Sequence, residues 1–125
     1  MAQSAIQTAT GLKPDSAAIL NAMPHPVLML DEDMRIEYVN DSAEQVFAAS
    51  SAVLFRHKLS DFVAFGSPVL ALIQQVHEHG VSVNEYGVEI GTPRSGDRAV
   101  DIQVTPVAEY PGHVLLILQV RTMAH

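Results

Sequence analysis

The stretch IEYVNDSAEQVF, Ile36 to Phe47, changes conformational period with no loop between its halves. Up to Val39 it reads as a strand; from Asp41 it reads as a helix, with Ala43, Val46 and Phe47 at helical spacing. Asn40, Asp41 and Ser42 stand at the junction, all residues whose side-chain oxygens accept from the free N–H groups of a helix start. Whatever this chain folds into must join a strand directly to a short helix.

The flanks extend the pattern. DSAAILNAM, Asp15 to Met23, predicts a helix with Asp15 or Ser16 as N-cap and Ala18, Ile19, Ala22 and Met23 along one stripe. Pro24 and Pro26 stop it, because the residue before a proline is pushed out of the α region. VLMLD (27–31) reads as a buried strand, and RIEYV (35–39) returns as its hairpin partner across the turn EDM. Residues 49–66 hold two apolar bursts, each short enough for a one-turn helix. In SPVLALIQQVHEHG, Ser67 is read as cap, Pro68 as the first helical residue and Gly80 as the left-handed stop. Val69, Leu72, Ile73 and Val76 form that helix's apolar stripe. Three strands close the chain: 81–90 with Gly87 as a bulge, 98–106 with Val100, Ile102 and Val104 on one face, and the apolar 113–120. TPRSGD and EYPG are the turns between them.

The order predicts an α+β fold: a five-stranded antiparallel sheet, helices on one face, and an N-terminal flanking helix. At 125 residues with 48% hydrophobic content it reads as one domain, residues 15–120, after a flexible segment 1–14 and before a connector beginning at 121–125. The absence of cysteine excludes disulfides, thiolate chemistry and Cys-based zinc sites. A net charge of −7 with only seven Lys and Arg argues against nucleic acid as partner. No apolar run approaches the ~20 residues of a membrane helix, and the N-terminus lacks the basic-then-apolar pattern of a secretory signal, which points to a cytoplasmic chain.

The order of elements, with Asn40-Asp41-Ser42-Ala43 leaving the second strand, resembles the PAS domain family. There an Asn-x-x-(Ala/Phe) step ends a strand and opens a helix that folds back over the sheet. ILNAMPHPVLMLDEDMRIEYVNDSAEQVF followed by FVAFGSPVLALIQQV is similar to the N-terminal sensory domain of NtrB-type nitrogen-regulation histidine kinases, with Ala64 in place of the proline often found there. The resemblance implies a cytoplasmic homodimer feeding a kinase that phosphorylates an NtrC-type response regulator under control of a PII-type signal protein. Neither an acceptor-histidine box nor a glycine-rich nucleotide box is present, so this stretch is not expected to be an enzyme by itself. The alternatives are a stand-alone small-molecule- or haem-binding PAS module, or a small α+β ligand-binding enzyme.

Candidate sites follow. His77 and His79 are two apart, a spacing unsuited to joint chelation on a helix, so no metal site is expected. The resemblance to PAS domains, some of which hold haem through a histidine on this helix, makes His77 the one position worth testing as a haem ligand. The serines sit at cap or turn positions, and Asp31 and Asp33 share a hairpin turn, so neither nucleophilic nor acid–base catalysis is expected, and no cofactor is implied. A pocket between helices and sheet would be lined by Tyr38, Phe47, Leu54, Phe62, Leu72, Ile102 and Leu116. Ile19, Leu20 and Met23, with outward residues of 98–105 and 113–120, are expected to form a homodimer interface.

Overall fold

The computed structural model describes residues 16–63, 66–92 and 96–120. The expected segments 1–14 and 121–125, Asp15 and the central part of the TPRSGD turn lie outside them. The elements are α1 (Ser16–Asn21), β1 (Val27–Leu30), β2 (Ile36–Val39), α2 (Asp41–Phe47), α3 (Ser51–Leu54), a 3₁₀ turn (Leu59–Asp61), α4 (Pro68–His79), β3 (Val83–Thr92), β4 (Gly96–Pro106) and β5 (Val114–Val120).

The five strands form one sheet in the order β2-β1-β5-β4-β3, with every pairing antiparallel. This topology dictates where the helices go. β2 and β3 are opposite edges of the sheet, so the chain between them must cross it. It crosses over the face that carries Leu28, Leu30, Ile36, Val100, Ile102, Val104, Val114, Leu116 and Leu118, all buried. From the helical side come Phe47, Leu54, Leu59, Val63, Val69, Ile73 and Val76, in one continuous cluster with the sheet residues. Full burial of such a side chain contributes roughly 1.5–3 kcal/mol, and this cluster is the core.

Local signals explain most boundaries. Asn40 is extended (φ −95°, ψ 177°) and accepts from the Ala43 N–H, so α2 starts one residue after β2 ends. α4 occupies the predicted Pro68–His79, and Gly80 closes it at φ 71°. Gly87 is left-handed (φ 66°) where the β3–β4 register slips between Glu85 and Val88, the predicted bulge. The Asp101 carboxylate accepts the Gly87 N–H at 2.9 Å and satisfies the donor the bulge leaves over.

Four readings are corrected. α1 ends at Asn21, because its last turn tightens: the Ala22 N–H is shared between Ala18 and Ile19 carbonyls, and Met23 N–H reaches Leu20, ahead of Pro24. β3 begins at Val83, leaving Val81 exposed. Ser67 is not a side-chain cap. Pro68 has no N–H to offer, the Leu70 N–H is taken by the Ser67 carbonyl at 3.1 Å, and the Ser67 hydroxyl is buried without a partner. Leu72 is half-buried on the flank of α4, while Val69, Ile73 and Val76 carry its buried stripe.

Candidate functional site

Asn40 is the polar centre of the fold. Its Oδ1 accepts from the N–H of Val27 (2.9 Å) and of Ala43 (3.0 Å). Its Nδ2 donates to the carbonyls of Leu20 and His25, both at 2.9 Å. One buried side chain thus joins the end of α1, the proline segment, the start of β1 and the start of α2. Two further bonds tie the same region: Asp41 N–H donates to Asn21 Oδ1 (3.0 Å), and Ser42 Oγ donates to the Met23 carbonyl (3.3 Å). The residues beside the strand–helix junction therefore also fix the flanking helix.

The predicted pocket residues are divided by the structure. Phe47, Leu54, Ile102 and Leu116 are core residues, and Phe62 and Leu72 pack half-buried against them. Phe62 meets Phe47 edge-on with ring centroids 6.2 Å apart. Tyr38 is not with them. Leu30 pairs with Ile36, but Met29 pairs with Tyr38, so the irregularity at this point skips Glu37 and reverses the parity of β2. Tyr38 therefore shares the outer sheet side with Met29 and not the helix side with Ile36.

That outer side also carries Leu115, opposite Met29, and Ile117, opposite Val27. Met29, Tyr38, Leu115 and Ile117 are half-buried. Ile19 of α1 is exposed, and Leu20 and Met23 are half-buried. A hollow of about 190 Å³ lies among His25, Asn84, Tyr86, Asp101, Gln103, Ile117 and Gln119. Another, about 540 Å³ and open to solvent, runs between α4 (Pro68, Ala71, Leu72, Gln75) and the edge strand β3 (Glu85 to Glu89). Of the seven predicted pocket residues, Ile102 borders the first and Leu72 the second.

Among titratable groups, His77 sits half-buried on α4 with its Nε2 shielded from solvent and unpartnered. Among the described residues no three of His, Asp or Glu are arranged to hold a metal. Sequence reading missed the pair His113–Glu37, with Nε2 2.7 Å from Oε1. The partners stand 76 positions apart, and no local signal could have joined them. The hydrogen bond that the His113 ring donates to Glu37 holds the His113 pKa above its ordinary value; partial desolvation opposes this, while the Pro111 carbonyl and the charges of Glu37 and Asp31 reinforce it.

An antiparallel sheet of this strand order, crossed on one face by short helices and one longer helix, with an Asn-capped strand–helix step, defines a class. The PAS fold family model matches residues 15–121, and the chain belongs to that family. It is similar to the sensory histidine kinase/phosphatase NtrB of Rhizobium meliloti, 43% identical over 125 residues, which is 99% of this chain and 33% of that protein. NtrB of Rhizobium leguminosarum bv. phaseoli is 45% identical over 108 residues, 86% of this chain and 28% of that protein. Among solved structures, the PAS domain of nitrogen regulation protein NR(II) from Vibrio parahaemolyticus matches with a TM-score of 0.66 at 25% identity, over 86% of this chain and 96% of that one. The chain spans about a third of the length of these curated relatives. Among the described residues no helix is long and apolar enough to cross a membrane.

Proposed function

We propose that this chain is the sensory and dimerising input domain of a cytoplasmic two-component histidine kinase of the nitrogen-regulation type. In this reading the full-length kinase controls phosphorylation of an NtrC-type response regulator and responds to a PII-type signal protein. The observation that carries the reading is the reach of the match to the Rhizobium meliloti NtrB, over 99% of this chain but a third of that protein, as a regulatory module attached to separate catalytic parts would give. The interior supports it. Among the described residues Asn40 and Ser67 are the buried polar side chains, and neither has an acid, base or nucleophile hydrogen-bonded to its side chain.

A signal acts through such a domain only by favouring one of two arrangements, each ~1.4 kcal/mol of difference shifting the ratio tenfold. The surface best suited to arrange two copies is the outer sheet face of Leu115 and Ile117, read together with the exposed or half-buried Ile19, Leu20 and Met23 of the flanking segment. Two tests address the two halves of the proposal. Light scattering should give twice the chain mass for the wild type and the single mass for Ile19→Asp; an unchanged mass counts against that interface. Grafting this chain in place of the matching part of the Rhizobium meliloti NtrB should restore regulated phosphorylation, whereas behaviour like a deletion of that part would refute the input role.

One observation favours a second reading, a ligand-responsive PAS module: the shielded, unpartnered Nε2 of His77. An absorbance spectrum of the purified protein decides between them, since a Soret band that disappears in His77→Ala would establish haem.

A further inference from the structure

We propose that the exposed patch of Arg35, Arg56 and Lys58 with Val53 and Phe55 is a docking surface for an acidic protein segment, one carrying a few carboxylates around an apolar side chain. The chain has fourteen Asp and Glu against seven Lys and Arg. Three of those seven, Arg35, Arg56 and Lys58, lie in this one patch, while Arg98 belongs to β4.

The backbone forces them together. Ile36 N–H donates to the His57 carbonyl (3.1 Å) and Leu59 N–H to the Met34 carbonyl (2.9 Å). These bonds flank Arg35 and Lys58, which face each other across an isolated antiparallel bridge as a non-hydrogen-bonded pair. In that register facing Cα atoms approach to about 4.5 Å, the closest for side chains in an antiparallel pair. Like charges set opposite each other weaken such a pairing, so the fold itself gains nothing from two cations here. Arg56 adds a third two residues before Lys58.

The charges are not neutralised from within. The two ion pairs among the described residues join His57 to Asp61 and His113 to Glu37. Asp61 is engaged by the His57 ring (3.3 Å) and the Lys58 N–H (3.1 Å), and Asp31 by the N–H groups of Asp33 and Arg35. Glu32 and Asp33, exposed on the neighbouring turn, make no ion pair with the three cations. Beside the cations, Val53 and Phe55 are 42% and 41% exposed, while Leu54 between them fills the core. Unpaired cations around an exposed aromatic ring have the composition of a docking site, in which aromatic and Arg side chains are enriched. The net charge of −7 disfavours a long polyanion such as nucleic acid, which the whole molecule would repel, and leaves a short acidic segment as the occupant.

The test is an amide-resolved NMR titration of this chain with a synthetic peptide of Glu and Asp residues around a central Leu-Phe pair. A Lys version of the peptide and an oligothymidine are titrated in parallel. The acidic peptide should shift the amides of 35 and 53–58, with the effect falling as salt is raised. Arg56→Glu/Lys58→Glu should weaken binding about tenfold, and Phe55→Ser should weaken it without changing its salt dependence. Arg56→Gln/Lys58→Gln, which removes charge with less perturbation, serves if the first variant does not fold. The proposal is overturned if no amide moves, if shifts spread evenly over the surface, or if the neutralised variant binds unchanged. Equal shifts with the Lys peptide or with oligothymidine would also overturn it.

Discussion

The carboxamide of Asn40 accepts from two backbone N–H groups and donates to two carbonyls, so every hydrogen-bonding position it possesses is used. Asn40→Ala would leave those groups unpaired, the Val27 and Ala43 N–H groups in buried positions and the two carbonyls in partly buried ones. At ~1–3 kcal/mol for each buried group left unsatisfied, with partial relaxation, a loss of about 3 kcal/mol is expected. Scanning calorimetry would read this as a Tm lower by about 10 °C. Asn40→Asp separates the two halves of the role, since it keeps the acceptors for Val27 and Ala43 and loses the donors to Leu20 and His25. It should cost less, with hydrogen-exchange protection lost first around α1. His113 makes a different kind of prediction. Its folded pKa lies above the ordinary 6.5 because Glu37 stabilises the protonated ring. The stability this contributes is complete below about pH 6.5 and is lost as pH rises through the raised value. The difference in urea midpoint between wild type and His113→Gln should therefore shrink as pH is raised above about 6.5. A difference that stays constant would mean that the pair contributes through packing alone.

At the level of elements, what could be read from sequence was what a residue decides within one turn of itself. Pro68 and Gly80 bracket α4, Asn40 opens α2, and Gly87 marks the bulge, because each acts through its own φ, its own N–H or its own side-chain oxygen. Ser67 shows where that reasoning stops. A capping hydroxyl accepts from the N–H of the second or third helical residue, and here the Leu70 N–H goes to the Ser67 carbonyl while the Ser67 hydroxyl meets no donor. Ser67→Ala should thus cost nothing or raise stability by up to about 1 kcal/mol, by deleting a buried unpartnered hydroxyl. That is opposite in sign to the usual cost of about 1 kcal/mol for removing a cap. Gly80→Ala should cost about 1–2 kcal/mol from its left-handed backbone alone, because the space a Cβ would enter is empty. Denaturant midpoints of the two variants, compared side by side, check both signs. Tyr38 was misplaced for a related reason: alternation assigns it to the face of Ile36 only while the register is unbroken, and one skipped residue at Glu37 turns it to the other side.

For the molecule as a whole, the sequence placed a helical block between the second and third strands. It could not show that those strands are opposite edges, which is what sends Asp41–Gly80 across the core. Nor could it say how α1 is held. The tie includes hydrogen bonds at the C-terminal end of α1, from Asn40 to Leu20, from Asp41 to Asn21, and from Ser42 to Met23. Ala18 and Ile19, toward its other end, are exposed. Such a helix is fastened by polar contacts more than by buried apolar area, and this predicts an unusual response to its removal. Deleting residues 1–23 should lower unfolding free energy by about 2 kcal/mol, since Asn40 Nδ2 and the Asp41 N–H lose partners. The dependence of that free energy on urea should hardly change, because its slope follows the surface exposed on unfolding and α1 hides little. A clear fall in slope, or loss of a single cooperative transition, would show instead that α1 is an integral layer of the core. In that case a change at the flanking helix would have to repack the interior to reach α2. If the slope holds, a displacement of α1 can reach the α2 start and the β1 start through the Asn40 side chain while the hydrophobic core stays intact.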